Sequence, residues 1–323
     1  MSAVTPRFQQ QTASTGVQHV NSKRYLIAFA VFTLLCLALW SPPNYANHCG
    51  RDIRINNMVS NAVFTLLFRG VNGEINDWSD VGASLGYGAT AGYLFYKSRE
   101  MIGNGDESRG IATAYLASSI TENTTHGRHP LSHIRYGIGP MEMNWATPFA
   151  AGGNRLSFNL NAVDAMGMVS MLASGQAGNF KLRNGILTGD DYGVIDPEFS
   201  GFTLNRTIVM RPEYANDQGL WHHEMIHTTQ YLQYSSFGSD SFDVVDWEKV
   251  DMFGVRNRIA STGLDLSLRV EWFNSLMNAM DDRNDYEDRS RELEAARMGQ
   301  DTSPMHDPLD NTCSAQVGFQ FKF

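Results

Sequence analysis

The 323-residue chain is 42% hydrophobic and 18% charged, a globular composition that excludes a wholly disordered, collagen-like or low-complexity protein. A formal net charge of -9 lacks the basic footprint of phosphate recognition, so no nucleic-acid partner is expected. Three cysteines, Cys36, Cys49 and Cys313, are too few and too scattered for a disulfide scaffold or a cysteine-based zinc module.

Residues 1–24 are polar, rich in Gln, Ser and Thr, and carry no periodic apolar pattern, which reads as a disordered tail. Lys23 and Arg24 then precede an uncharged, almost wholly apolar run, so residues 25–41 read as a signal peptide or a membrane anchor. The basic flank keeps its own side cytoplasmic, and the chain beyond Trp40 is expected to be exported, to the periplasm or cell envelope. The membrane is a partner through residues 25–41 if they are not cleaved. Export would also allow Cys49 and Cys313 to pair, whereas Cys36 lies inside the apolar run.

Residues 42–130 read as a helical region. Apolar residues recur at helical spacing from Asn61 to Phe68 and again from Asp80 to Met101, where Val81, Leu85, Ala89 and Leu94 alternate with small residues that permit close helix packing. Gly103-Asn104-Gly105-Asp106 breaks the pattern, and Ile111 to Thr121 resumes it, which predicts a helical hairpin. His126, His129 and His133 fall in a Gly- and Pro-broken loop and read as loop histidines rather than as a second metal site.

Residues 131–323 change period. Ile134 to Trp145, Arg155 to Val163, Asn179 to Leu187 and Gly201 to Arg211 alternate apolar and polar residues between Gly-rich turns, the pattern of half-buried strands. In the last, Phe202, Leu204, Ile208 and Met210 are expected on one face and Thr203, Asn205, Thr207 and Val209 on the other. Its position just before the next helix suggests an edge strand to which an extended peptide adds through main-chain hydrogen bonds, with the Thr207 amide as a candidate donor.

That next helix carries the strongest motif in the chain, His223-Glu224-Met225-Ile226-His227. Histidines at i and i+4 stack on one helix face and can both reach one Zn2+, while Glu224 beside them can activate a zinc-bound water and pass its proton to a leaving amine. A catalytic zinc needs a third protein ligand. Downstream, Leu266, Val270, Phe273 and Met277 mark an amphipathic helix, an acidic connector spans Asp281 to Arg289, and Ser290 to Arg297 resumes helical character with Glu292 and Glu294. The two carboxylates lie about 200° apart on a helix, so only one of them can face the metal.

With these residues the sequence resembles a zincin metallopeptidase of the gluzincin kind, in which a later helix supplies a glutamate to the metal. The run from His223 to Tyr231, with Thr228 and Gln230 after the second histidine, is similar to small bacterial zincin-like proteins of unassigned activity. Such families place the third ligand in a stretch of the form E-x-E-A, on the Glu followed three positions later by a small residue. The resemblance therefore implies Glu292, which precedes Ala295, as third ligand, with Glu294 as runner-up.

The chain closes on Ala315, Val317, Phe319, Phe321 and Phe323 alternating with polar residues, a terminal strand expected to join the sheet. Together these features predict an α+β protein: a zincin-like domain with a mostly antiparallel sheet and the His-Glu-x-x-His helix, behind a helical region and an apolar N-terminal segment. Its expected activity is zinc-dependent hydrolysis of a peptide or protein substrate, with His223, His227 and Glu292 holding the metal and Glu224 as base. The competing expectation is a non-enzymatic envelope protein, a degenerate zincin or an outer-membrane β protein, in which the motif only binds metal or is incidental.

Overall fold

A computed structural model describes residues 49–161, 177–191 and 200–237, the short segment 265–267, and isolated positions within 164–172 and 294–298. Three helices come first, α1 (Cys49–Val71), α2 (Trp78–Gly103) and α3 (Glu107–Thr125). Seven strands follow: β1 (His133–Ile138), β2 (Met141–Ala146), β3 (Arg155–Asn161), β4 (Ala177–Arg183), β5 (Ile186–Asp191), β6 (Gly201–Leu204) and β7 (Thr207–Met210). Helix α4 (Gln218–Ser235) and strand β8 (Asp265–Ser267) complete an α+β architecture. No helix among the described residues is long and apolar enough to cross a membrane. The apolar run 25–41, Cys36, Cys313, Glu292 and the C-terminal alternation lie outside the described residues.

The helical hairpin expected from the Gly-Asn-Gly-Asp break is present as α2 and α3, and α1 extends the layer. Asp77 caps α2 by accepting from the amides of Ser79 and Asp80, while the Asp80 carboxylate accepts from the Asp77 amide, closing a capping box. Asp80 also pairs with Arg69 at 2.5 Å and so ties the start of α2 to the end of α1. The small residues of α2 bring the two helices backbone to backbone: a Cβ at Gly92 would lie 2.2 Å from the Asn57 carbonyl oxygen. This is the close packing that the Gly and Ala content of residues 82–92 permits.

Helix α3 buries Ser119, Glu122, Asn123 and Thr124, an unusual load for a packed helix. The reason is its neighbour. Helix α3 lies against β1, where Ser119 Oγ accepts from the Arg135 amide and Asn123 Nδ2 donates to the His133 carbonyl, while the Glu122 carboxylate pairs with the Arg135 guanidinium. An exposed strand edge is thereby satisfied by side chains rather than by another strand.

Two four-stranded sheets lie beyond the helices, in the orders β1-β2-β3-β8 and β4-β5-β7-β6. Each mixes antiparallel pairs with one parallel pair, β3 with β8 and β5 with β7. Three of the expected single strands are instead hairpins. Ile134 to Trp145 turns at Gly139-Pro140, Asn179 to Leu187 at Asn184-Gly185, and Gly201 to Arg211 at Asn205-Arg206. Asn184 (φ 53°) and Gly185 (φ 82°) adopt the left-handed pair that a two-residue hairpin requires, and Asn205 (φ 55°) helps to turn the next.

The last hairpin corrects the expected faces. Phe202 lies opposite Val209 and Thr203 opposite Ile208, so Thr203 shares a face with Ile208 and Met210, whereas Phe202 and Leu204 share the other with Thr207 and Val209. Residues Asp265–Ser267 depart from expectation as well. They pair in parallel with Asn159–Asn161 as β8, because the backbone of β3 offers them a ladder, and Leu266 is therefore in a strand rather than in the amphipathic helix predicted for Leu266 to Met277.

A single apolar cluster joins the helical layer to the second sheet and to α4. It includes Phe95 and Ile102 of α2, Ile111 and Ile120 of α3, Ile186 of β5, Ile208 and Met210 of β7, and Trp221, Met225 and Ile226 of α4. Helix α4 is thus enclosed, with nearly every side chain from Leu220 to Ser235 buried.

Candidate metal centre

Helix α4 begins where Asp217 caps it, the carboxylate accepting from the Leu220 amide at 3.0 Å. A second tie fixes its first turn. Glu107, at the start of α3, accepts from Trp221 Nε1 at 2.9 Å, from the Arg183 guanidinium and from Asn184 Nδ2, and the Arg183 guanidinium lies over the Trp221 ring at 4.3 Å. His222 Nε2 sits 3.5 Å from the same carboxylate; burial holds its pKa below the ordinary imidazole value, against the opposing pull of Glu107. These contacts connect α3, the β4–β5 hairpin and α4 immediately beside the motif.

One turn further, His223 and His227 stack on the same side of α4. Their Nε2 atoms are 3.0 Å apart and the ring planes cross at 76°. Only 4% and 7% of the two residues is exposed, which excludes a pair of solvent-facing surface histidines. The donor set suits a metal: two ligands about 2.0–2.1 Å from one ion at a tetrahedral angle lie about 3.3 Å apart, close to the spacing seen here. At 3.0 Å one imidazole donates to the other, and a cation taking the place of that shared proton would bind both nitrogens.

Glu224 is 5% exposed and points toward β6. The Thr203 hydroxyl lies 2.5 Å from Glu224 Oε2 and 3.1 Å from the Glu224 backbone oxygen, so this strand residue reaches both the carboxylate and its helix. Gly201, two residues earlier, passes so close that a Cβ there would stand 3.0 Å from Glu224 Oε1. Among the described residues β6 is the outer strand of its sheet, while β7 is paired on both sides. The edge expected of Gly201 to Arg211 is therefore confined to Gly201–Leu204. Thr207 is on the inner strand, opposite both Leu187 and Leu204, and its amide is not an edge donor.

Glu294 is brought to α4 but not to the two imidazole Nε2 atoms by any direct hydrogen bond. Its Oε1 accepts from Arg99 Nη1 at 2.6 Å and from Asn57 Nδ2 at 2.9 Å, and its Oε2 accepts from Gln230 Nε2 at 3.1 Å. The amide oxygen of Gln230 lies 2.8 Å from His227 Nδ1. Glu294 thus stands one residue behind a histidine. Glu292, the third ligand implied by the resemblance, lies outside the described residues. Among the described residues, no three His, Cys, Asp or Glu side chains gather as a metal-binding group.

Of the three histidines expected in a loop, His133 instead begins β1, and all three are engaged elsewhere. His126 Nδ1 lies 2.8 Å from the Glu122 carbonyl oxygen, His129 stacks on Phe149 at 4.4 Å, and His133 Nδ1 lies 3.1 Å from Ser132 Oγ. Sequence reasoning gave no role at the site to Thr203, Gln230, Arg99 or Asn57. Gln230 was within its reach, standing three residues after His227 on the same helix face. Arg99 and Asn57 carry no local signal, since they arrive from helices more than a hundred residues upstream. Compared with protein-family models, with curated proteins and with solved structures, the chain matches none.

Proposed function

We propose that the protein is a zinc-dependent peptidase of zincin-like architecture, acting in the cell envelope or outside the cell after export through residues 25–41. The observation that carries this reading is the buried His223–His227 pair, with Nε2 atoms 3.0 Å apart and the Glu224 carboxylate on the intervening turn. His223 and His227 would hold the ion, with Glu292 as the proposed third ligand. A zinc ion there would supply Lewis acidity to a water molecule and to the substrate carbonyl. Glu224 would serve as the general base, placed to accept a proton from the attacking water and to return it to the departing amine. Thr203 holds the Glu224 carboxylate by one hydrogen bond and leaves its remaining lone pairs for this transfer.

Substrate placement follows from β6. In a two-residue hairpin the pair beside the turn is hydrogen-bonded, so Leu204 and Phe202 bond to β7 while the backbone groups of Thr203 and Gly201 face the other way. The Arg211 amide donating to the Ser200 oxygen at 3.1 Å continues this alternation. An extended peptide pairing with that edge would run past Glu224, and main-chain bonds would hold it without regard to sequence.

Glu224→Gln tests the chemistry. It keeps the helix and both histidines, so zinc content should hold at about one per chain while peptide hydrolysis falls by at least about 100-fold. Undiminished hydrolysis in that variant, or a parent protein that neither retains zinc nor gains stability from it, would sink the proposal.

A further inference from the structure

Behind the histidine pair runs a continuous chain of buried polar groups that the peptidase reading does not by itself require. Arg99, 1% exposed on α2, sends its guanidinium to four acceptors: Thr229 Oγ1 at 3.1 Å, Asn57 Oδ1 at 2.9 Å, Glu294 Oε1 at 2.6 Å, and Gln233 Oε1. Glu294 in turn meets Gln230, and Gln230 meets His227. The polarity of this chain is dictated at one end. A carboxylate paired with a guanidinium offers only lone pairs, so the Gln230 amide must turn its NH2 group toward Glu294. Its oxygen is then left facing His227 Nδ1 and can only accept. The Nδ1 atom must carry the imidazole proton, and Nε2, the atom facing His223, must present a lone pair.

We infer that Arg99, Glu294 and Gln230 are positioning residues that lock His227 in its Nδ1-protonated tautomer, so that Nε2 is ready to bind a metal before one arrives. The inference rests on the zinc reading of the site, but the tautomer is a property of the chain without metal. It also assigns Glu294 a role distinct from that of a ligand. The anchor comes from the N-terminal helices, since Asn57 of α1 and Arg99 of α2 hold Glu294 in place. Partners that fix the tautomer of a ligating histidine typically change metal affinity by 10- to 100-fold.

The test uses the full-length chain, metal-free and labelled with 15N-histidine, at pH 8 where imidazole is neutral. Long-range 15N–1H spectra report which ring nitrogen is protonated, and the His227 signals are identified by their loss in His227→Ala. The parent should show His227 protonated at Nδ1. Gln230→Leu should populate both tautomers and weaken zinc binding, measured by chelator competition, by roughly 10- to 100-fold. The reciprocal change, Gln230→Glu with Glu294→Gln, keeps every donor facing an acceptor and keeps the negative charge. It should keep the Nδ1 tautomer and hold zinc affinity within a few-fold of the parent, where Gln230→Leu loses both.

A parent His227 protonated at Nε2 overturns the inference, as does a folded Gln230→Leu variant with unchanged tautomer and zinc affinity. If Gln230→Leu fails to fold, the parent spectrum and the reciprocal pair decide. Finding the Nδ1 tautomer in a chain that binds no zinc would uphold the lock and remove the peptidase reading.

Discussion

The two sheets are joined to the rest of the molecule by opposite means. The sheet β4-β5-β7-β6 turns apolar side chains inward, and Ile186, Ile208 and Met210 enter the common core with α4. The sheet β1-β2-β3-β8 turns a polar face inward: Arg135 meets Glu122, Glu142 approaches Arg206 at 3.6 Å, and Asn161 Nδ2 donates to the Tyr231 hydroxyl at 3.4 Å. Its opposite face carries Ile138, Trp145, Leu156 and Phe158, all between 42% and 53% exposed. One sheet is therefore held by removal of apolar surface from water, the other by buried charges and hydrogen bonds. The lesson is that alternation in sequence identifies a strand's two faces but does not say which one is inside.

Arg206 is the bolt between them. It lies in the β6–β7 turn, is 1% exposed, bonds Asp164 through both Nε and Nη2, and faces Glu142 of the other sheet and the Tyr115 hydroxyl of α3. Arg206→Met should break the comparison most severely, because two buried carboxylates, Asp164 and Glu142, lose the guanidinium that lies between them; the expected loss is about 3–5 kcal/mol in urea unfolding. Retention of parental stability would show that the first sheet is not held by this charge cluster.

Ile208→Ala probes the apolar side of the comparison. Ile208 is fully buried in the core shared with α4, so truncation should cost about 2–5 kcal/mol, with the value rising as the cavity fails to collapse. Because β7 supports β6, the same variant should also weaken hydrolysis if the Thr203–Glu224 contact matters, and activity measured well below the unfolding transition checks this. A truncation that leaves stability unchanged would mean that apolar burial is not what holds this sheet.

The smallest effect belongs to Glu142→Gln. Burial pushes the Glu142 carboxyl above its ordinary pKa, opposed by Arg206, and the same is true of Asp164. A raised carboxyl gives the folded state a proton that the unfolded chain has lost, so its contribution is fully present below about pH 4.3 and disappears as pH rises through the folded value. One guanidinium between two carboxylates balances one of them. Replacing Glu142 should leave stability at pH 7 within about 1 kcal/mol of the parent and flatten its decline as pH rises above the ordinary carboxylate range, read from unfolding midpoints across a pH series. An unaltered pH profile would show that Glu142 does not titrate in this window.

The sequence by itself determined helices α1 to α4, the presence of strands, and the His-Glu-x-x-His motif on α4. Helical spacing and the Gly-Asn-Gly-Asp break delimit α2 and α3, and an i, i+4 histidine pair needs only the pitch of one helix to converge. The hairpins were legible in principle, since Asn184-Gly185 is a turn signature, but a long alternating run hides a two-residue reversal because the alternation continues on both sides of it. Tertiary structure alone decided three things. It made β6 rather than β7 the edge beside Glu224, it turned a polar sheet face inward toward Arg206, and it set Arg99 and Asn57 behind Glu294 and Gln230. Each depends on groups far apart in the chain whose pairing is enforced by the cost of leaving buried donors, acceptors and charges without partners. That cost is incurred only once the chain has folded around them, and no local pattern of residues records it.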